Sequence, residues 1–329
     1  MRRFLVTGGA GFIGSRFIAT LLGQPEVQIV SLDLQPLHGI ESQNCRHHQL
    51  NIGDPARLQP VLEAFRPDCV VHFAAATHVD ESIEAPALYV ENNIVAHHGL
   101  LQLIRDYWQQ LDAPRQQAFR FIQVSTDEVY GQLDSTDAAF VETSPYQPNN
   151  PYSATKAAAD HLVRAYHATW GLPVITTLSS NNYGPGQTVD KLIPKLISHA
   201  LQNKLLPIYG DGSHVRDWLY VDDHCQAILE VIRHGETGQH YNICGECEQS
   251  NLAIAQRVCD LVDGMRPAAT PRRELIRFVA DRPGHDFRYA MNGTKLAGIS
   301  QWRATTPLPQ GLRQTVQWFL DQADGITGS

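Results

Sequence analysis

The sequence is short of several features that would have fixed its class at once. Six cysteines in 329 residues are too few for a disulfide scaffold. Cys244 and Cys247 form a C-x-x-C pair, but no second pair accompanies them, so neither a zinc site nor a redox site is expected. Basic charge is also scarce. The 26 Lys and Arg against 34 Asp and Glu leave a net charge of −8, and the cations are scattered, which excludes a nucleic-acid footprint. No apolar run approaches the roughly 20 residues of a membrane span. Met1-Arg2-Arg3 leads directly into a strand pattern rather than a signal peptide, so the expected compartment is the cytoplasm, with no membrane partner. The histidine pairs His47-His48 and His97-His98 are expected at the surface, because adjacent side chains diverge and chelate poorly.

What remains is an ordinary globular composition, 43% hydrophobic and 18% charged, long enough for one large or two modest domains. Apolar strands and amphipathic helices alternate through the first half. Strands are expected at Arg3 to Thr7, Val27 to Leu32, His47 to Leu50, Asp68 to Ala75, Phe119 to Val124 and Pro173 to Leu178. Helices are expected after Gly14, from Asp54 to Phe65, from about Pro86 to Leu111, and from Pro151 to Trp170. This alternation predicts an α/β fold with a doubly wound, mostly parallel Rossmann sheet. After about residue 180 the regularity loosens into turn-rich segments around residues 181–186, 209–212 and 281–286. The expected organisation is a dinucleotide-binding domain over 1–180 and a smaller, mixed C-terminal lobe over 181–329. Segments such as His240 to Ile243 return to the sheet, and the chain is expected to fray from Ala323 on.

Gly9, Gly11 and Gly14 satisfy G-x-G-x-x-G between a strand and a helix, the context in which the motif binds a dinucleotide pyrophosphate at the helix N-terminus. Asp33 ends the second strand, where a carboxylate bonds ribose hydroxyls. Leu34 and Gln35 offer no arginine for a 2′-phosphate, so NAD is expected rather than NADP. Thr126-Asp127-Glu128 follows a buried-strand pattern, and Tyr152 and Lys156 stand one helical turn apart. The ammonium is expected to lower the phenol pKa and make Tyr152 a base. Each piece alone has a plainer explanation. Thr-Asp-Glu also describes a helix cap with an acidic first turn, and Tyr-x-x-x-Lys recurs in ordinary helices.

Taken together these segments resemble the extended short-chain dehydrogenase/reductases, and within them the dTDP-glucose 4,6-dehydratases. The resemblance spans nearly the whole chain. It rests on Thr7 to Gly14, His78-Val-Asp80, Ser125 to Gly131, Pro151 to Lys156, Ser180 to Pro185, Lys191 to Pro194, Tyr209 to Gly212, Val215 to Tyr220 and Asp281 to Asp286. It implies C4 oxidation of a sugar nucleotide by NAD with Tyr152 as base, aided by Lys156 and Thr126. Removal of the C5 proton by Glu128, donation to the departing C6 hydroxyl by a protonated Asp127, and hydride return to C6 would follow. The cofactor contacts it implies are Gly8, Gly11, Phe12, Ile13, Gly14, Asp33, Asn51, Ile52, Ala74, Ala75, Asn93, Tyr152, Lys156 and Ser180. Substrate contacts would be His78, Thr126, Asn181, Lys191, Leu192, Pro207, Tyr209, Arg216, Asn251 and His285, with Tyr209 and Pro207 against the base. Without the resemblance, Arg216-Asp217 also reads as a surface ion pair and Tyr209 as a core aromatic. A homodimer through a four-helix bundle of the helices near 86–111 and 150–170 is implied as well. Ala76, Glu81 and Gly186 depart from the family pattern, which loosens the base and sugar preference. The alternatives are an epimerase or dehydratase acting on a UDP- or amino-sugar nucleotide, and a catalytically silent NAD-binding regulator.

Overall fold

A computed structural model describes residues 1–327. Strands β1 (Arg3–Thr7), β2 (Gln28–Asp33), β3 (Cys45–Gln49), β4 (Cys69–His72), β5 (Arg120–Thr126) and β6 (Val174–Ser179) come from the first half. Later come β7 (Asn181–Tyr183), β8 (Leu206–Tyr209), β9 (Val215–Tyr220), β10 (His240–Ile243), β11 (Glu248–Ser250) and β12 (Ile276–Val279). Seven of these form one parallel sheet in the order β3-β2-β1-β4-β5-β6-β10. The order reverses between β1 and β4, and this switch point opens the crevice in which such sheets bind ligands. The smaller sheets are mixed: β11 runs antiparallel and β7 parallel to β9, while β12 pairs with β8 in parallel.

The helices of the first half are α1 (Phe12–Leu22), α2 (Pro55–Phe65), α3 (Val79–Glu84), α4 (Pro86–Val90), α5 (His97–Gln109), α6 (Ala113–Ala118) and α7 (Pro151–Trp170). They are followed by α8 (Leu192–Leu201), α9 (Val221–His234), α10 (Asn251–Met265), α11 (Thr294–Ser300) and α12 (Leu308–Thr327). Phe17, Ile18 and Leu21 of α1 pack with Cys225, Ile228 and Ile232 of α9 on one face of the large sheet. Leu58 and Leu62 of α2, Leu100 and Ile104 of α5 and Val163 of α7 cover the other. A separate core joins α8, α10 and α12 to β8 and β9 through Leu196, Ile208, Val258 and Leu312. No helix among the described residues is long and apolar enough to cross a membrane.

Several expectations need correction. The long helix from Pro86 to Leu111 is interrupted by a π-helical stretch, Glu91–Ala96, and is preceded by the unexpected α3. Inside that stretch Asn93 is buried and uses its amide to bond Ala76 N–H, Ala76 C=O and the Thr155 hydroxyl at 2.8–3.0 Å. The extra residue per turn aims a side chain into the core, as such bulges often do at functional sites. The fourth strand is shorter than expected, ending at His72. His97 is not at the surface: it is 1% exposed and stacked on His72 with ring centroids 4.7 Å apart. Ala323 lies inside α12 rather than in a frayed end, and Gly328 and Ser329 fall outside the described residues.

Candidate active site

The dinucleotide turn is tight because two glycines allow it. Gly8 has φ +69°, and a Cβ there would sit 2.6 Å from the Ala74 nitrogen. A Cβ on Gly14 would overlap the Gly8 carbonyl oxygen. Helix α1 thus starts against β1 and β4, and its N-terminus has no side-chain cap, leaving the N–H groups of its first turn, including Phe12 and Ile13, to a ligand. Asp33 closes β2 and accepts from Ala10 N–H and Gln35 N–H, each at 3.0 Å. Asn51 folds back on Gly53 N–H at 2.8 Å, beside the buried Ile52. Ala74 and Ala75 follow β4, and the buried Ser180 follows β6, where its hydroxyl accepts from Gly245 N–H at 3.3 Å. These residues line the carboxyl ends of the large sheet. An uncapped helix N-terminus beside a carboxylate fits the pyrophosphate and ribose of NAD.

The next strand end gathers several titratable groups. Thr126 finishes β5 and accepts from Glu128 N–H at 3.4 Å, capping a single 3₁₀ turn, Asp127–Tyr130. The capping geometry is therefore real, and it sets both carboxyls in one short turn at the end of β5. Asp127 is 2% exposed, takes the Thr126 hydroxyl at 3.1 Å on Oδ1, and has no partner on Oδ2. Burial, then the charges of Glu128 and Asp217, push its carboxyl well above the usual range. Burial also raises Glu128, but the Arg282 and Arg216 charges and the Asn150 amide at 3.4 Å pull it back. Both carboxyls are therefore raised, Asp127 well above its ordinary value.

Asn150 also begins α7, in a capping box with Ser153 and with Pro151 at the first position. Tyr152 and Lys156 lie buried one turn apart on that helix. Lys156 Nζ donates to Val124 C=O at 2.8 Å, and the Thr126 hydroxyl, which donates to Asp127, stands close enough to oppose the rise of the Tyr152 phenol. The expected lowering of Tyr152 is not found in the chain alone. Burial, followed by the Glu128 charge, raises the phenol well above its ordinary value.

The other wall comes from the smaller sheets. His78 caps α3 through Nδ1, and Lys191, just before Leu192 opens α8, donates to Thr77 C=O at 2.9 Å. Tyr209, two residues past Pro207 on β8, gives its hydroxyl to Asp80 at 3.1 Å, and Arg282 reaches the other oxygen of Asp80 at 3.0 Å. Arg216 is not in a surface ion pair. It is 5% exposed, donates to the carbonyls of Val215, Asp286 and Phe287, and lies 4.3 Å over the Tyr289 ring. His285 stacks on His214 at 3.7 Å and pairs through Nδ1 with Asp281 at 2.6 Å; burial and the Arg282 charge press its pKa to about 4. His214, Asp281 and His285 are the only three-residue group of metal-ligand type among the described residues. Asn181 and Asn251 each hold a buried Oδ1 with no partner in the chain. Lys191, Arg216 and Arg282 all act on Glu128, so this wall converges on the carboxylate pair. Sequence reasoning alone misses Asn150, Asp80 and Arg282 as site residues. The last two lie in plain view inside the His-Val-Asp and Asp-Arg-Pro-Gly-His-Asp segments.

A family model described as GDP-mannose 4,6 dehydratase matches residues 5–315. A dTDP-glucose 4,6-dehydratase of Xanthomonas campestris pv. campestris (strain B100) is 46% identical over 339 residues, covering 100% of this chain and 96% of that one. This chain belongs to the dTDP-glucose 4,6-dehydratases. The Haemophilus influenzae member of that family is 44% identical over 97% of this chain and 98% of its own. Among solved structures, DesIV, the dTDP-glucose 4,6-dehydratase of Streptomyces venezuelae with NAD and TYD bound, superposes with a TM-score of 0.89 at 37% identity, covering 98% of each chain. A Thermus thermophilus UDP-glucose 4-epimerase in complex with NAD also superposes, with a TM-score of 0.84 at 27% identity over 97% of this chain and 99% of that one. Shape alone therefore does not separate dehydratases from epimerases.

Proposed function

We propose that this chain is an NAD-dependent lyase that converts dTDP-glucose to dTDP-4-keto-6-deoxyglucose. The observation that carries the reading is Asp127, a carboxyl 2% exposed beside a second carboxyl, with one oxygen that has no partner in the chain and with its pKa raised by burial. Gly8, Gly11, Phe12, Ile13, Gly14, Asp33 and the loops at Asn51, Ala74 and Ser180 would hold the cofactor. Bound NAD supplies a hydride acceptor for C4 and a donor for C6, and its oxidised ring adds the positive charge that the buried phenol lacks in the free chain.

Tyr152 takes the C4 hydroxyl proton, with Thr126 beside it and Lys156 one turn further along α7. The C4 ketone acidifies the C5 proton, and Glu128, a stronger base than an exposed carboxylate, removes it. Asp127 gives its proton to the C6 hydroxyl, which leaves as water. Glu128, its proton exchanged with solvent, would reprotonate C5 as hydride returns to C6. Tyr152 then stands protonated and Asp127 ionised, so one proton must pass from the phenol to the carboxylate through solvent before the next turnover.

The same reading gives residues 1–180 the cofactor and 181–329 the sugar nucleotide, with His78, Asn181, Lys191, Leu192, Pro207, Tyr209, Arg216, Asn251 and His285 as contacts. It also implies a cytoplasmic homodimer. Leu88, Val90, Val95 and Trp170, 41–52% exposed on or beside α4, α5 and α7, support a helix-to-helix interface. The test is incubation of the purified protein with dTDP-glucose in D₂O, followed by NMR. A 4-keto-6-deoxy product carrying deuterium at C5, with no net NADH, is expected. A C4 epimer, or no turnover, overturns the reading.

A further inference from the structure

His214, Asp281 and His285 meet on the wall formed by the smaller sheets, and the reaction above gives the first two no task. A carboxylate only accepts, so His285 Nδ1–H donates to Asp281 Oδ1, at 2.6 Å. His214 Nε2 stands 3.2 Å from the other oxygen. The imidazoles stack face to face, 3.7 Å between centroids, so one nitrogen of each meets the same carboxylate. Their surroundings hold them there. Tyr209 meets the His285 ring edge-on at 5.9 Å, Phe287 lies 6.3 Å from the His214 ring, and Arg282 N–H bonds Asp281 Oδ1 at 2.8 Å. Both histidine side chains are nearly buried, while Asp281 is 38% exposed and gives the cluster a path to solvent. Gly210, at φ +58°, keeps room beside it: a Cβ there would stand 3.3 Å from Asp281 Oδ2 and 3.5 Å from His214 Cε1.

We propose that His214, Asp281 and His285 form a reversible site for a divalent transition metal, zinc by its donor set, that strengthens sugar-nucleotide binding. Two imidazoles and a carboxylate suit Zn²⁺, whereas Ca²⁺ and Mg²⁺ want oxygen ligands throughout. Tetrahedral ligands at about 2.0–2.2 Å from the ion stand roughly 3.3 Å apart, so the 3.2 Å pair is already placed and the 2.6 Å pair must open by less than about 1 Å. Burial holds both imidazoles below their ordinary pKa, leaving their nitrogens free of a second proton. Two features weaken the site and make it reversible. His214 Nδ1 has no partner in the chain, so this ligand lacks the usual outer hydrogen bond, and the Arg216 and Arg282 charges oppose a cation. The effect on substrate rests on reading His285 as a sugar-nucleotide contact. While Asp281 holds the proton on Nδ1, Nε2 of the neutral ring has none to give a diphosphate. An ion on Nδ1 moves that proton to Nε2, which then donates, and the charge of the ion attracts the diphosphate. No reacting atom is touched, so the effect falls on KM and not on kcat.

The test is calorimetric titration of the chelator-stripped holoenzyme with zinc chloride, for the wild type, His214→Gln and Asp281→Asn. KM for dTDP-glucose is measured alongside at buffered free zinc. One ion per wild-type chain is expected, and cobalt in its place should give the absorption spectrum of a tetrahedral site. Each variant should weaken zinc by about 100-fold or more, the upper range for partners that do not even touch an ion. Zinc should lower the wild-type KM several-fold at constant kcat and leave the KM of both variants unmoved. No saturable binding, or binding as tight in both variants, means that no ion is held here and overturns the proposal. Bound zinc that raises KM or leaves it unchanged overturns it as well. Should one variant fail to fold by circular dichroism, the other carries the test. A wild type that makes no 4-keto-6-deoxy product sinks the dehydratase reading instead; the calorimetry still tests the ion site, so the two failures are distinguished.

Discussion

The two walls of the cleft are built in opposite ways. On the sheet side, one continuous stretch from β5 to α7 supplies Thr126, Asp127, Glu128, Tyr152 and Lys156, of which Asp127, Tyr152 and Lys156 are buried. On the cap side, contacts join segments far apart in the chain: Arg282 to Asp80 across 202 residues, Tyr209 to Asp80 across 129, and Lys191 to Thr77 across 114. Those groups are half-exposed, 22% for Arg282 and 36% for Asp80. Buried charges on the sheet side interact strongly and set pKa values, whereas the more exposed ones on the cap side are screened and would serve to hold and release a ligand. Substitutions on the sheet side should therefore cut kcat, and those on the cap side should raise KM.

The hardest test of that division is Tyr152→Phe. It keeps the ring against Tyr89, 6.5 Å away, and removes only the proton acceptor. A fall in kcat of about 10³- to 10⁴-fold is expected, with KM within a few-fold and an unaltered circular dichroism spectrum. A kcat within tenfold of wild type would erase the contrast between the walls.

Asp127→Asn sharpens the contrast within the sheet side. The amide cannot give a proton to the C6 hydroxyl, while Tyr152 and Lys156 are untouched. Elimination should slow by about 10²-fold or more with C4 oxidation retained, so enzyme-bound NADH should accumulate in rapid-mixing absorbance. If oxidation and elimination fall together, Asp127 belongs to the first step and the proposed division of labour is wrong.

The same contrast governs what the sequence discloses. The alternation of strands and helices, the Asp54 and Pro151 helix starts and the His240–Ile243 strand are legible, because each depends on neighbours a few residues away. The helix near Pro86 reads as unbroken because its apolar spacing hardly changes where the π-helical stretch intervenes. What creates that stretch is Asn93 reaching Ala76 and Thr155, which no local pattern encodes. His97 reads as a surface residue because it and His98 diverge and chelate poorly, yet it packs against His72 and Phe121. Tyr152 shows the limit most plainly. The spacing reveals Lys156 one turn away but not the burial or the Glu128 charge that outweigh it. The cap contacts have no periodicity at all.

Arg282 is where the two walls meet, and it makes the subtlest prediction. It bonds Asp80, and its charge is the first to oppose the burial that raises Glu128. Arg282→Gln removes that opposition, so Glu128 rises further. Because Glu128 must be deprotonated to take the C5 proton, the acid limb of C5 exchange should move to higher pH, by about half a unit for a partly screened charge. KM should rise several-fold as Asp80 and Tyr209 lose their tie. Asp80→Asn works from the other end. Burial would raise Asp80, but Arg282 and Tyr209 together hold it below its ordinary value, so it is charged throughout the working range. Neutralising it frees Arg282 to act on Glu128, and the acid limb should shift to lower pH by less than Arg282→Gln raises it. The pair is read by following deuterium entry at C5 against pH in both variants. Opposite shifts mean that the cap tunes the base across the cleft, while shifts of one sign, or none, mean that the cap only binds.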